Sequence, residues 1–283
     1  MHKLKAAYIS LYMASLMTAM AVAVWQLTTA PDAAAWWGVL LAVTVPVAFF
    51  MRLMLASVAR TGASLWWIPA AGGAGTVWAL AFDGLGLPAL VAGIVGVALG
   101  LLYTHWYSRF GARDTTKLAT GQHLPDFPLL DLEGRPVSSL DLIDTPALWL
   151  FYRGNWCPLC MAQIREVAEQ YRTLASRGVA VHLVSPQSQE HTKALAQRFE
   201  VPMRFLTDRD NRAADRLGIL AKGGLPMGVQ MLGYDADVPM PTVLITAAGG
   251  RIIYSDLTEN YRIRPEPADF LAALDRAGLP AGA

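Results

Sequence analysis

The order of apolar and polar positions divides the chain into two unlike parts. From Ala6 to about Tyr107 almost every position is apolar or small, and the charged residues are sparse: Asp32, Arg52, Arg60 and Asp83. A helix needs roughly 20 mostly apolar residues to cross about 30 Å of hydrocarbon. Four stretches meet that requirement, at 6–27, 33–51, 65–82 and 85–106, the third being the shortest. Pro69 and the Ala71-Gly72-Gly73-Ala74-Gly75 run make the third a kinked or closely packed helix, since neighbouring groups in a bundle can satisfy the freed backbone. Gly96 and Gly100, four apart, read either as a close-approach face or as part of a merely small-residue-rich span.

After Arg109 the pattern changes period. A polar connector at 108–120 leads into two short extended runs around Glu133-Gly134, a hairpin signal. Ala147 to Tyr152 is a continuous apolar run of buried-strand length. Helical spacing follows from Cys157 to about Ser176. A second buried strand is expected at 179–184, a helix at 188–199 with Ser188 as N-cap, a strand at 204–207 and a short helix at 211–217. Strands at 242–246 and 251–255 are joined at Ala248-Gly249-Gly250, and a last helix spans 267–277. Alternating strands and helices imply a central sheet with helices on its faces, and the late hairpin makes that sheet mixed. The expected architecture is a multi-span α-helical membrane domain at 1–107, a linker at 108–120 and an α/β domain at 121–283.

Composition refines this picture only in part. Hydrophobic residues make up 54% and charged residues 16% of the 283 positions, an average over two unlike halves. The net charge of +1 gives no electrostatic reason to expect a nucleic-acid partner. The positions of the basic residues are more telling. Lys3 and Lys5 precede the first span, Arg52 and Arg60 mark the second connection, and Arg109, Arg113 and Lys117 follow the fourth, whereas the other two connections carry only Asp32 and Asp83. By the positive-inside rule the basic side is cytoplasmic, so an even number of spans predicts a multi-pass inner (plasma) membrane protein with a cytoplasmic C-terminal domain. The apolar run after Lys5 is longer than a signal-peptide core and is read as a retained span. Arg52, Asp83 and His105 lie near span ends and read as interfacial or snorkelling groups, which leaves the spans as an anchor or a docking surface.

The candidate chemistry rests on two cysteines, Cys157 and Cys160, the only two in the chain. A zinc site would need further Cys or His at ligand spacing, and none is near. The phrase Tyr152-Arg-Gly-Asn-Trp-Cys-Pro-Leu-Cys160 follows a buried strand and opens a helix. There, free N–H groups and the helix dipole stabilise a thiolate, and Pro158 fits a first turn that needs no N–H. Cys157 is therefore read as the attacking thiolate and Cys160 as the resolving thiol one turn on.

Trp156-Cys157-Pro158-Leu159-Cys160 resembles the active site of thioredoxin-fold proteins. The stretch from Gly121 to about Gly278 resembles the redoxin branch, the alkyl hydroperoxide reductase/thiol-specific antioxidant (peroxiredoxin-like) superfamily. Phe205-Leu-Thr-Asp to Ile219 is similar to that branch's strand, Asp turn and short helix. Met240-Pro241-Thr242 resembles its cis-proline loop. The resemblance implies a thioredoxin-like fold, a cis Pro241 whose neighbours pair with an extended substrate, and a redox-active disulfide serving antioxidant activity and cell redox homeostasis. From the residues alone, Pro241 equally suits a trans strand start. Arg153, Trp156, Pro158, Met240 and Pro241 are the candidate substrate-binding positions. Two departures matter. Peroxiredoxins place Thr or Ser three residues before the peroxidatic cysteine, where this chain has Gly154. They also place an arginine near the late strand, and none lies between Lys222 and Arg251, so Arg153 is the candidate substitute.

These features predict a membrane-anchored thiol-disulfide oxidoreductase reducing disulfides at the cytoplasmic face. The alternatives are a thiol peroxidase acting on hydroperoxides and, from a different class, a membrane redox sensor. Expected partners are protein or small-molecule thiols and disulfides, a thioredoxin- or glutathione-type electron donor, and membrane lipid. No cofactor is called for. His182 reads as a core or edge histidine and His191 as a solvated helix residue. Met227, Met231 and Met240 read as an adaptable partner surface or as core filling.

Overall fold

The computed structural model describes residues 2–111 and 113–279. Four helices come first: α1 His2–Thr29, α2 Trp36–Leu55, α3 Trp67–Asp83 and α4 Leu87–Tyr107. α1, α2 and α4 are long and apolar enough to cross a membrane. α3 has 17 residues, an axial length of about 26 Å, so the span expected at 65–82 begins two residues late and is the marginal one. The outward faces carry exposed Leu11, Met17, Leu41, Val77, Leu90 and Ile94, an exterior that apolar surroundings would suit.

Small residues set the spacing between these helices. A Cβ on Gly72 would lie 2.3 Å from the Gly96 carbonyl carbon, and one on Gly75 would lie 2.2 Å from the Gly38 carbonyl oxygen. Gly96 is therefore a close-approach residue, packed against Gly72 of α3. α4 also departs from regular winding, with π-helical turns at Ala92–Ala98 and Tyr103–Tyr107. Gly72→Ala is expected to lower the thermal stability of the full chain in detergent by about 1–3 kcal/mol, because backbone must move to admit the methyl group. Gly73, one position on, has nothing within 4 Å of an added Cβ. Gly73→Ala should leave stability level or raise it by up to about 1 kcal/mol, and equal losses in both variants would contradict this packing.

The C-terminal part is an α/β domain. Its strands are β1 Pro128–Leu130, β2 Pro136–Ser138, β3 Ala147–Phe151, β4 Ala180–Ser185, β5 Arg204–Thr207, β6 Leu220–Ala221, β7 Val238–Pro239, β8 Thr242–Thr246 and β9 Ile252–Asp256. Its helices are α5 Pro158–Glu169, α6 Tyr171–Ser176, α7 Gln189–Ala196, α8 Arg212–Arg216 and α9 Pro267–Arg276. Seven strands form one sheet in the order β2-β1-β5-β4-β3-β8-β9, and β6 and β7 pair separately. β3, β4 and β5 run parallel, and the remaining pairings are antiparallel, which gives the mixed sheet expected from the sequence. The helix expected over 157–176 is broken at Gln170 into α5 and α6. Ser188 caps α7 by accepting the His191 N–H.

β3 is apolar throughout because both its faces are covered. Leu148 and Leu150 belong to one core, while Ala147, Trp149 and Phe151 belong to the other. His182 of β4 is buried against Trp149, their ring centroids 4.4 Å apart, and burial first, then Arg204, lowers its pKa to about 4. It is a neutral core histidine. His191 departs from its expected solvated role: it is half-buried and stacked on Tyr234 at 4.6 Å.

The core containing Leu148 and Leu150 is continuous with the helical bundle, joining Tyr12, Phe50 and Tyr103 to Cys157, Ile164 and Phe270. Polar contacts pin the same junction. Arg262, fully buried, donates to Ser108 Oγ at 2.9 Å, Thr61 Oγ1 at 2.8 Å, and the Gly62 and Ala63 carbonyls at 2.8 and 3.2 Å. Arg60 pairs with Glu166 of α5, the Tyr103 and Tyr261 hydroxyls meet at 2.8 Å, and Lys5 donates to the Arg109 carbonyl. Lys5 and Arg60 of the helical part thus lie on the side of the α/β domain. The connector is packed as well: Arg113 is buried, donating to Thr242 Oγ1 and the Thr258 carbonyl.

Candidate functional site: a dithiol at the domain junction

β3 ends at Phe151, and the chain turns sharply before α5 begins at Pro158 with Cys157 as its N-cap residue. Gly154 makes that turn possible. Its φ is +145°, and a Cβ there would lie 2.7 Å from the Trp156 indole nitrogen. A threonine at this position would therefore meet both backbone strain and the Trp156 ring. Asn155 is fixed from two sides, its N–H donating to Gln187 Oε1 at 2.9 Å and its Oδ1 accepting from the Tyr234 hydroxyl.

Both cysteines are free thiols and buried: Cys157 is 2% exposed and Cys160 0%. Two guanidinium groups attend them. Arg264 reaches Cys160 Sγ at 3.5 Å and Gln163 Oε1 at 2.7 Å. Arg153 donates to the Gly224 carbonyl and lies over the Trp156 ring at 4.8 Å. Arg264 sits beyond β9, in a stretch with no motif to mark it, and is the site group that the sequence did not reveal.

The charge is not distributed as the helix-terminus argument predicts. Burial opposes the Cys160 thiolate, but the hydrogen bond from Cys157, then Arg264 and Arg153, outweigh it and bring the Cys160 pKa down to about 5. Donating that hydrogen bond, together with burial, holds the Cys157 thiol well above its ordinary value. The two sulfurs titrate as one pair, and the Arg264 and Arg153 cations favour its ionised form.

Cys157 is the sulfur that reaches open space. It lines a cavity of about 370 Å³ together with Arg153, Trp156 and Pro158 from the motif, Ile9 and Met13 of α1, and Leu53 and Met54 of α2. The insertion between β6 and β7, residues 222–237, closes one side through Pro226, Val229 and Leu232. The Met227 N–H donates to the Ala6 carbonyl, and the Ser10 hydroxyl to the Met227 carbonyl at 2.8 Å, which ties the insertion to α1.

Met240 and Pro241 lie elsewhere. The β3–β8 register, Phe151 opposite Thr242, brings them to the motif end of the sheet, but neither lines this cavity. The Met240–Pro241 peptide is trans, which corrects the cis expectation. The proline stands at a strand start, where trans geometry leads directly into the β8 ladder. Met240 is buried in the second core, whereas Met227 and Met231 are exposed, so the three methionines do not form one surface. No group of three or more His, Cys, Asp or Glu able to hold a metal occurs among the described residues.

A mixed sheet flanked by helices, with a Cys-Pro-Leu-Cys dithiol where the central strand hands over to a helix, defines a thioredoxin-like redox domain. Residues 120–255 match the model of the AhpC/TSA family. Among curated proteins, a chloroplastic peroxiredoxin Q of Sedum lineare is 31% identical over 103 residues, covering 36% of this chain and 55% of that protein. The thiol-disulfide oxidoreductase ResA of Halalkalibacterium halodurans is 26% identical over 163 residues, covering 58% of this chain and 80% of that protein. The chain spans about half the length of the peroxiredoxin Q relatives it matches. Among solved structures, Enterococcus faecalis AhpC is 20% identical with a TM-score of 0.46, covering 56% of this chain and 92% of that one.

Proposed function

We propose that this protein is a membrane-anchored thiol-disulfide oxidoreductase whose Cys157–Cys160 pair reduces disulfides at the cytoplasmic face. The observation that carries this reading is the buried Cys157–Cys160 pair at the start of α5, with Arg264 against Cys160 and Arg153 beside the motif, and with Cys157 opening on the cavity. Proton transfer from Cys157 to Cys160 leaves a thiolate on the accessible sulfur. That thiolate attacks a substrate disulfide, expels one thiolate product and forms a mixed disulfide. Cys160 then attacks Cys157, releases the second product and closes the intramolecular disulfide. A thioredoxin-type dithiol, or two molecules of a glutathione-type thiol, resets the pair by the reverse exchange and leaves as the disulfide.

The anchor comprises residues 1–107, followed by the connector at 108–120 and the redoxin domain at 121–283. Lys3, Lys5, Arg52, Arg60, Arg109 and Arg113 cluster on the redoxin side, which supports a cytoplasmic placement. In a reducing compartment the dithiol form predominates, so the domain acts as a reductant. The closed space at Gly154 weighs against the peroxidase reading, because the position where peroxiredoxins carry a hydroxyl admits no side chain.

The test uses the full chain, reduced, in detergent, with loss of free thiol followed by mass spectrometry. Exposed in turn to a small disulfide and to hydrogen peroxide at equal concentration, the pair is expected to oxidise at least tenfold faster with the disulfide. Faster oxidation by peroxide would establish the peroxidase reading instead.

A further inference from the structure

The insertion between β6 and β7 runs along α1. At its start, a Cβ on Gly223 would lie 3.0 Å from Lys3 Cγ. Further on, the Met227 N–H donates to the Ala6 carbonyl at 3.1 Å, and the Met227 carbonyl accepts from the Ser10 hydroxyl. Beyond that point, Val229 and Leu232 share a cavity wall with Ile9 and Met13. Contact thus moves along α1 from Lys3 to Ser10, an axial rise of about 10 Å. On the way it passes Lys5, the last basic residue before the apolar run of α1.

The side chains carried past Lys5 are apolar and face outward. Met227 is 51% exposed, Leu232 64% and Met231 90%. No charged residue occurs between Lys222 and Asp235. Charge is kept at the base of the insertion, where Asp237 Oδ1 accepts the Gly223 N–H at 2.6 Å. Met54, in the last turn of α2, is exposed as well and lines the same cavity as Leu232. An apolar tip on a polar base, at the level where a spanning helix begins, suits the boundary between headgroups and acyl chains. Elements of this kind sit about 5–10 Å deep there. In water the same side chains would form an unpartnered apolar patch.

We propose that residues 226–233 form an interfacial membrane element, with Met231 and Leu232 seated among the headgroups and upper acyl chains, so that the Cys157 cavity opens at the bilayer surface. The proposal rests on the anchoring of residues 1–107 in a membrane. Continuity with α1 favours lipid as the occupant: the Met227 hydrogen bonds hold the tip beside a helix whose own Leu11 is exposed to the same surroundings. The seat reaches the dithiol by two connections. Val229 and Leu232 wall the cavity on which Cys157 opens, and Tyr234, where the insertion returns, donates to Asn155 Oδ1 in the turn before Cys157.

The experiment uses the full chain with both native cysteines replaced by serine and one new cysteine introduced by Met231→Cys. That cysteine carries a nitrobenzoxadiazole fluorophore, and the protein is placed in nanodiscs of phosphatidylcholine and phosphatidylglycerol. The quencher is phosphatidylcholine with a doxyl group near the head of the acyl chain. Two reference labels are attached in the same way. Leu11→Cys marks the outward face of α1, and Leu140→Cys marks the β2 edge of the sheet, opposite β9. Quenching at position 231 is expected to reach at least half that at position 11 and at least threefold that at position 140. Quenching at position 11 without quenching at 231 overturns the interfacial seat and leaves the apolar tip to a protein partner. Equal quenching at 231 and 140 overturns it too, because the label then reports its own affinity for lipid. No quenching at position 11 defeats the membrane anchoring itself. Met231→Asp, in the chain with its native cysteines, gives a check without a label. Amide hydrogen exchange over 228–233 in nanodiscs, corrected for intrinsic rates, is expected to speed at least threefold while α5 is unchanged. Unchanged exchange over 228–233 overturns the proposal.

Discussion

Replacing Cys157 by serine is expected to abolish disulfide reduction, lowering turnover by about three orders of magnitude or more. The hydroxyl cannot be ionised by a neighbouring thiolate, and no other thiol lines the cavity among the described residues. Cys160→Ser should behave differently. Cys157 would still attack, drawing its ionisation from Arg153 and Arg264, but nothing would resolve the product. Mixed disulfides with substrates should therefore accumulate, seen as adducts on Cys157 by mass spectrometry under non-reducing conditions. The wild-type protein provides a sharper check. Cys160 has the lowered pKa yet is fully buried, whereas Cys157 lines the cavity. A small alkylating reagent should modify Cys157 first even though it is the less acidic sulfur. Preferential labelling of Cys160 would reverse the assignment of roles.

Arg264→Met is expected to shift the pH profile of thiol reactivity upward by about 1–2 units. That is the range set by losing one hydrogen bond to a charged group, about 1.5–3 kcal/mol. With Cys160 at about 5 in the intact protein, the pair is largely ionised at pH 6. In the variant the midpoint rises to about 6–7, so the alkylation rate at pH 6 should fall about two- to tenfold. The loss should fade by pH 8, where both proteins are ionised. The sign follows from the charge: a cation beside a thiolate lowers its pKa, so removing the cation weakens reactivity on the acid side of the profile only. Arg264→Lys should restore part of the shift, although a lysine cannot hold both Gln163 and Cys160 in the guanidinium's forked geometry. A uniform fall at every pH would indicate damaged packing and not a lost charge.

Much of this protein can be read along the chain because local physics is strong there. The four apolar stretches, the hairpin at Glu133-Gly134, the apolar β3, the Ser188 cap and the strands at 204–207 and 242–246 all follow from periodicity, turn chemistry and capping, which act over a few residues. The dithiol was legible for the same reason: a strand ending, a proline at the first helical position and two cysteines one turn apart are local features. The Gly154 turn is also local, but its meaning came from space, since only the folded chain brings the Trp156 indole against the missing Cβ.

What the tertiary structure alone decided concerns charge and access. Arg264 lies 104 residues after Cys160 in a segment without a motif, and no periodicity points from one to the other. After the hydrogen bond from Cys157, it is the strongest influence lowering the pKa of the inner sulfur, because a cation 3.5 Å away in a buried setting acts strongly on a thiolate. Packing of α1 and α2 over the motif gives the active sulfur an apolar antechamber, although each helix by itself reads as a plain anchor. Sequence pattern thus determined which elements form and where the thiols sit on them. Long-range packing determined the charges around the thiols and what kind of molecule can reach them, because electrostatics and solvent access depend on distances through space.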